Sequence, residues 1–389
     1  MLASVTKTES ASKNRAVTST AKRRVPTGVA RAGTLESLAS HSGISAATLS
    51  RVLNHPQQVR APLRDRAEQL LRDTGYVAHG AARSLASKRS RTMGAIVPTV
   101  DSALFAKIVE GLQQSIHAQG YQLLLASSGY SPQREAAEVR ALLERGIDGL
   151  MLIGRTRVPE TTAMLLGRGV PFVTTCHHDP ASAWPTIGWD NVRESERIAD
   201  YLVDIGHRRF GIIAGLGADN DRAADRLVGF RAALGRRGVM LAEAAVVERP
   251  YTVRDGRQAM AALLRLPQRP RAVLCGNDIL AYGALQECLW QDLGVPDDIS
   301  ICGFDNIDMA ANCRPGITTL DVPAAELGAI AGRTLLAAQS TAPGELPAHV
   351  LLELELIVRG STAPPSPAAR TPLKSRRVAR TARALAAAP

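Results

Sequence analysis

The sequence predicts an α/β chain: a short all-α segment near the N-terminus, followed by two doubly wound lobes built on parallel sheets. Residues 34–73 carry three short apolar stripes at helical spacing, punctuated by Gly43 and Gly75. From Thr92 onward, short apolar runs alternate with helical stretches: MGAIVP, YQLLLA, DGLMLI and VPFVTT, then RFGIIAG, AVLCGND and ISICGFD. Strands apolar on both faces belong to parallel sheets, and right-handed crossovers then place helices on either side. The pattern restarts near Gly206-His207-Arg208, which marks a second lobe resembling the first. A chain of 389 residues is long enough for such a body plus an appendage.

Charge is distributed to match this division. The formal net charge is +11, with +6 in residues 1–31, +5 in 32–91 and +6 in 362–389, which leaves residues 92–361 at −6. A basic appendage on a mildly acidic body suits binding to a polyanion through the appendage. The stretches 1–31 and 362–389 are rich in Ala, Ser, Thr, Pro and Arg and are expected to be disordered basic extensions. No run of 18 apolar residues occurs and the first residues scatter charges, so membrane spanning and Sec export are not expected. The cysteines, five in number and without a C-x-x-C pair, suit buried thiols in a reducing cytoplasm.

Taking the elements in order, Thr34 suits the N-cap of a first helix with Leu35, Leu38 and Ala39 inward, and Gly43 suits its left-handed exit. Ser45 caps a second helix with Leu49, Val52 and Leu53 inward. A third, from about Ala61 to Asp73, has Leu63, Ala67, Leu70 and Leu71 apolar and ends at Gly75. Two short helices joined by a tight Gly-containing turn form a helix-turn-helix, whose second helix enters the major groove of DNA. Ala46, Ala47, Ser50 and Arg51 stand on the outer face of that helix. Arg51 suits guanine O6 and N7, Ser50 and Thr48 suit phosphates, and alanine methyls suit the thymine methyl.

The run TLESLASHSGISAATLSRVLN, followed by RDRAEQLLRDTGYVAHGAARSLASKRS, resembles the headpiece of the LacI/GalR repressors. The match includes the Ser-Arg-Val-Leu-Asn ending at Asn54, the Gly75-Tyr76 pair and a short segment with Leu near its end, and the likeness continues to about Ser361. It implies a headpiece over 32–78, a hinge and linker over 79–91, and a two-lobed body over 92–361, of the periplasmic-binding-protein-like kind, for effector binding and dimerisation. The hinge would be a helix over 79–87 that orders on operator DNA, with Leu85 wedged into the minor groove. A helix this short is marginal alone, so coupling its formation to DNA is physically reasonable. The implied DNA-binding residues are Thr34, Ser45, Ala46, Ala47, Thr48, Ser50, Arg51, Asn54, His79, Arg83 and Leu85. Ala78 departs from the family's usual Pro, and Ala46 and Ala47 replace larger polar readers, so specificity leans on Arg51 and on DNA shape.

In doubly wound sheets, ligands bind beyond the carboxyl ends of the strands. Phe105, Asp190, Arg226, Asn277, Asp278 and Asp305 occupy such positions. The resemblance implies that Arg226 grips the effector, that Asn277 and Asp305 bond its hydroxyls and that Phe105 forms a wall. For Asp190 and Asp278, capping of the next helix is an equal alternative. Residues 129–160 resemble the gluconate-responsive branch at Gly129-Tyr130-x-Pro132, Ile147-Asp148-Gly149-Leu150 and Arg155-Thr156-x-x-Pro159. That branch implies a sugar acid such as gluconate or 2-ketogluconate, its carboxylate forked by Arg226 with Arg155. The GFDN motif, common in repressors of neutral sugars and purines, keeps a neutral sugar or a sugar phosphate as the alternative. Gly215-Leu216-Gly217 lacks the third glycine of a dinucleotide fingerprint, and no Walker loop, G-x-S-x-G, H-E-x-x-H or Cys/His cluster occurs. No catalytic site, cofactor or metal is therefore expected, and His177-His178 reads as a surface loop. A sugar-binding protein or sugar-metabolising enzyme without a DNA role is opposed by the headpiece. The expectation is a cytoplasmic, nucleoid-associated homodimeric repressor on a pseudo-palindromic double-stranded operator, with no leucine heptads in the tail for a tetramer.

Overall fold

The computed structural model describes residues 34–77, 89–340 and 349–366. Both basic extensions, the hinge helix over 79–87, and His79, Arg83 and Leu85 lie outside the described residues. The chain divides into two compact units, within 1–83 and 84–389.

The first unit holds α1 (Leu35–Ser42), α2 (Ala46–Asn54) and α3 (Ala61–Asp73). Thr34 Oγ1 accepts from Ser37 N and Ser45 Oγ from Thr48 N, so α1 and α2 each start on a hydroxyl cap. Gly43 ends α1 at φ +69°, in the left-handed region that glycine enters without steric penalty. Ile44, Leu49, Val52, Val59 and Ala67 form the core, with Leu35, Leu38, Ala39 and Leu70 packed on it. Leu63, in the first turn of α3, departs from the expected burial and is 39% exposed, while Ala67 and Leu71 further along the helix are buried.

The second unit begins with β1 (Thr92–Val97), α4 (Ala103–His117), β2 (Gln122–Ser127), α5 (Pro132–Glu144), β3 (Gly149–Ile153), α6 (Pro159–Arg168), β4 (Phe172–Thr175) and β5 (Thr186–Gly188). It continues through α7 (Asn191–Asp204), β6 (Phe210–Gly215), α8 (Asp221–Arg236), β7 (Val246–Arg249), α9 (Val253–Leu264), β8 (Ala272–Cys275), α10 (Asp278–Trp290) and β9 (Ser300–Cys302). It closes with α11 (Asp308–Asn312), β10 (Thr319–Asp321), α12 (Ala324–Ala338), β11 (Val350–Leu351) and β12 (Glu355–Ile357). One sheet runs β11-β5-β4-β3-β1-β2 and the other β7-β6-β8-β9, and every pairing within them is parallel. The apolar runs correspond to β1, β2, β3, β4, β6, β8 and β9, of which β2 and β9 lie at sheet edges.

The lobes are interleaved in sequence, in contrast to the single restart read near Gly206. After β5 the chain leaves the first sheet for α7, which packs on α8 of the second lobe. It returns after β10 as α12, which packs on α4, and β11 joins β5 before β12 pairs antiparallel with β10. The helix pairs α4–α12 and α7–α8 cross at glycines: a Cβ on Gly328 would strike Ile108 O, and one on Gly229 would strike Val192 O. The body also extends past the boundary read at 361. Ser361 is fully buried with Oγ donating 2.6 Å to Ile301 O, and Arg271 Nη2 donates to Ser366 O at 3.1 Å.

Candidate DNA-reading face and ligand cleft

In α2, buried Leu49 and Val52 set the orientation, and the opposite face carries exposed Ala47, Arg51 and Asn54 with half-buried Ala46, Thr48 and Ser50. The Thr48 hydroxyl lies 2.8 Å from Ser45 Oγ, within the cap. Asn54 Nδ2 donates to Ser50 O at 2.9 Å, which ties the end of the helix to itself. The Arg51 side chain makes no hydrogen bond or ion pair among the described residues, so its guanidinium is unspent on the outer face.

In the body, Phe105, Arg226, Asn277 and Asp305 converge on one cleft of about 80 Å³ between the lobes. Phe105 enters from the first turn of α4, whose cap is Ser102. Asn277 caps α10 with its Oδ1, 3.0 Å from Leu280 N, and lines the cleft. Arg226, buried on α8, stacks 3.6 Å over the Phe304 ring. Its Nε donates to Asn191 Oδ1 at 3.1 Å, its Nη1 to Gly276 O at 2.6 Å and its Nη2 to Asp305 Oδ1 at 3.5 Å. Asp305 sits in left-handed backbone at φ +108° after β9, which aims its carboxyl at that guanidinium. Burial pushes its pKa up to about 6, against the pull of Arg226.

Asp278 is not in the cleft lining and does not cap α10, which Asn277 caps. Its Oδ2 accepts from Ile307 N at 3.0 Å and its Oδ1 from Thr319 Oγ1 at 2.7 Å, so it holds the turn that presents Asp305. Burial first, and then the charge of Asp305, push its pKa up to about 8.

The structure does not bring Asp190 or Arg155 into the cleft. Asp190 is exposed, and its Oδ1 accepts from Val192 N and Arg193 N at 3.0 and 3.1 Å: the free N–H groups at the start of α7 are the nearest donors, and the carboxylate caps them. Arg155 is held by Asp225 through two hydrogen bonds of 2.6 and 2.7 Å, because its loop abuts the acidic first turns of α8. His177 is buried with Nε2 3.5 Å from Thr174 Oγ1, which corrects the surface-loop reading. Among the described residues no three His, Cys, Asp or Glu side chains group as metal ligands. None of their helices is long and apolar enough to cross a membrane.

Sequence reasoning passed over several cleft residues. Arg222 stands one helical turn before Arg226 and is equally buried in the lining. Its position on the same helix face was the available signal. Tyr251 follows β7 as Asn277 follows β8, but VVER is half-exposed and polar and does not read as a strand. Tyr130, at φ +62°, faces Tyr251 with ring centroids 6.3 Å apart, and burial raises both phenols. A Cβ on Gly215 would collide with the Tyr251 ring, so the glycine that ends β6 makes room for aromatic packing. Phe105, Tyr130, Trp189 and Tyr251 all line the cleft in a chain with only five Phe, six Tyr and three Trp.

A family model described as bacterial regulatory proteins, lacI family, matches residues 34–79, and a periplasmic binding protein-like domain matches 199–362. The HTH-type transcriptional repressor CytR of Escherichia coli K12 is 34% identical over 335 residues, spanning 85% of this chain and 96% of that protein. The HTH-type transcriptional regulator GntR of the same strain is 31% identical over 304 residues, spanning 78% and 91%. A solved complex of the transcriptional regulator CelR with cellobiose superposes with a TM-score of 0.63 at 27% identity, covering 85% of this chain and 99% of that one. Likeness of this extent, reaching from the helix-turn-helix through both lobes, means that the chain belongs to the LacI family of bacterial regulatory proteins, DNA-binding transcriptional repressors, and not enzymes, that answer to a small-molecule effector.

Proposed function

We propose that this repressor responds to a neutral, polyhydroxylated ring, a free sugar or small saccharide. The observation that carries this reading is the pairing of Arg226 with Asp305 inside the cleft, 3.5 Å apart. An acid entering here would meet the Asp305 carboxylate, and the Arg226 fork is already shared among Asn191, Gly276 O and Asp305. A neutral ring instead finds an acceptor in Asp305, a donor in the amide of Asn277 and ring faces in Phe105, Tyr130 and Tyr251. The cellobiose bound by the CelR relative supports the same class. A second reading, a sugar acid such as gluconate or 2-ketogluconate or a sugar phosphate, is favoured by Arg222, a second buried guanidinium in the lining.

In this proposal two copies pair through their bodies and set two headpieces on a pseudo-palindromic operator in the cytoplasm, Arg51 reading base edges and the hinge residues His79, Arg83 and Leu85 ordering at its centre. Thr34, Ser45, Ala46, Ala47, Thr48, Ser50 and Asn54 complete the DNA surface. Effector binding changes lobe closure and with it the spacing of the hinges. By linkage, operator DNA weakens the effector by the same factor as effector weakens DNA.

Calorimetric titration with glucose, ribose, cellobiose, gluconate, 2-ketogluconate and 6-phosphogluconate tests the effector class. Saturable binding of a neutral member, lost in Asp305→Asn, is the expected result. Binding confined to the acids would replace this reading with the second.

A further inference from the structure

The loop 154–157, between β3 and α6, forms a rigid lip on the first lobe. Gly154 turns the chain at φ +73°. Arg157 braces the loop from behind, donating from Nη2 to Gly154 O at 2.6 Å and from Nε to Glu135 Oε1 at 3.3 Å, with both side chains under a tenth exposed. What this lip presents to the second lobe is a set of donors. Arg155 Nη1 and Nη2 reach the two carboxylate oxygens of Asp225 at 2.6 and 2.7 Å. The backbone N–H of Arg155 donates to Asp221 Oδ2 at 3.0 Å, and that of Thr156 to Oδ1 at 3.5 Å. The same Asp221 Oδ1 accepts from Arg222 Nη1 at 3.1 Å.

Asp221 and Asp225 lie in the first two turns of α8, the helix whose Arg222 and Arg226 line the ligand cleft. The Asp221 side chain is 4% exposed, and these contacts are its charge partners. Parting the lobes would strip a buried carboxylate of donors from the lip and split a bidentate pair, since each of these contacts joins the first lobe to α8 of the second. The lip also bears directly on the cleft wall: a Cβ on Gly154 would overlap Arg222 Nη1. Among the described residues, Asp221 and Asp225 are the acids within ion-pair distance of Arg155, and Asp179 adds to the negative field around it.

We infer that Arg155 and Asp225, with Asp221 behind them, form an interlobe latch that holds the cleft closed and positions Arg222 in its wall. Arg155 is thus a positioning residue that acts through α8 and not a ligand contact. The inference rests on the reading of this cleft as the effector site only for its consequence, namely that the latch sets how tightly any effector is held; the latch itself is a property of the lobes.

Lobe closure can be read without ligand or DNA. Leu166 on the first lobe is 62% exposed and Met240 on the second is 96% exposed. Both are replaced by Cys in a Cys313→Ser background of the full chain and spin-labelled, and the distance distribution is measured by double electron–electron resonance. The expected result is a longer-distance population that rises about fivefold in Arg155→Ala and in the near-isosteric Asp225→Asn. Combining the two adds nothing further, since each removes the same pair. Arg155→Lys, which keeps the charge and loses the fork, falls between. Distributions that superimpose on the parent in both single variants, or shifts that add in the double variant, would overturn the latch. Neither outcome touches the effector class, which the calorimetric panel decides separately.

Discussion

Asp278 and Asp305 occupy one buried turn with different partners, and this has a consequence for stability. In the unfolded chain both titrate near the ordinary 3.8, whereas burial holds them protonated up to about 8 and about 6. Between these limits the folded state binds more protons, so stability is greatest below pH 4 for these two groups and falls as pH rises through the window. Asp278→Asn mimics the protonated form, its amide nitrogen facing Thr319 Oγ1 and its oxygen facing Ile307 N. Urea midpoints should therefore fall less between pH 6 and 8 in the variant than in the parent; parallel pH profiles would show that Asp278 is ionised throughout. Arg226→Lys retains a charge but cannot span Asn191, Gly276 O and Asp305 together. Whichever sugar binds, its Kd should rise at least about tenfold while DNA affinity holds. At this scale the sequence was legible where side chain and position agree. Arg226, buried on α8, and Asn277, just after β8, have few ways to be buried, while a carboxylate after a strand has two fates, and Asp190 took the helix cap.

Helix contacts carry the body's shape, and their glycines separate packing from propensity. Gly328 faces Ile108 O across the α4–α12 crossing, whereas a methyl added at Gly235 on α8 would meet nothing within 4 Å. Gly328→Ala should cost about 1–3 kcal/mol by forcing the helices apart. Gly235→Ala should gain about 0.5–1 kcal/mol from helix propensity. Thermal unfolding of the two variants measures both, and a stabilised Gly328→Ala would mean that the crossing is looser than described. In the hinge, Leu85→Ala is expected to weaken operator binding while leaving effector binding unchanged, read by anisotropy and calorimetry; unaltered operator affinity would remove the wedge assignment. Central strands were legible because both faces are apolar, as in GLMLI of β3. The edge strand β7, with one glutamate and one arginine, and the short β5, β10, β11 and β12 lack that signature. Their absence from the sequence reading hid both Tyr251 and the return of the chain to the first lobe.

The whole molecule couples a basic, three-helix reader to a mildly acidic two-lobed body, and this division follows from charge and periodicity alone. The interleaving of the lobes does not, since it depends on which sheet edge each late strand joins, and those strands are two or three residues long. Interleaving places connections between the lobes at residues 188–191, 321–324 and 351–355, and in the proposed mechanism closure at the cleft acts through them on the first lobe. In the proposed mechanism, a two-fold pair of such bodies would convert that movement into a change in headpiece spacing. The most direct test of effector-controlled, dimeric recognition is selection from randomised double-stranded DNA by the purified full-length chain. An enriched inverted repeat, with half-site centres about one helical turn apart, is the predicted result. Enrichment of no motif, or of a single asymmetric half-site, would contradict it.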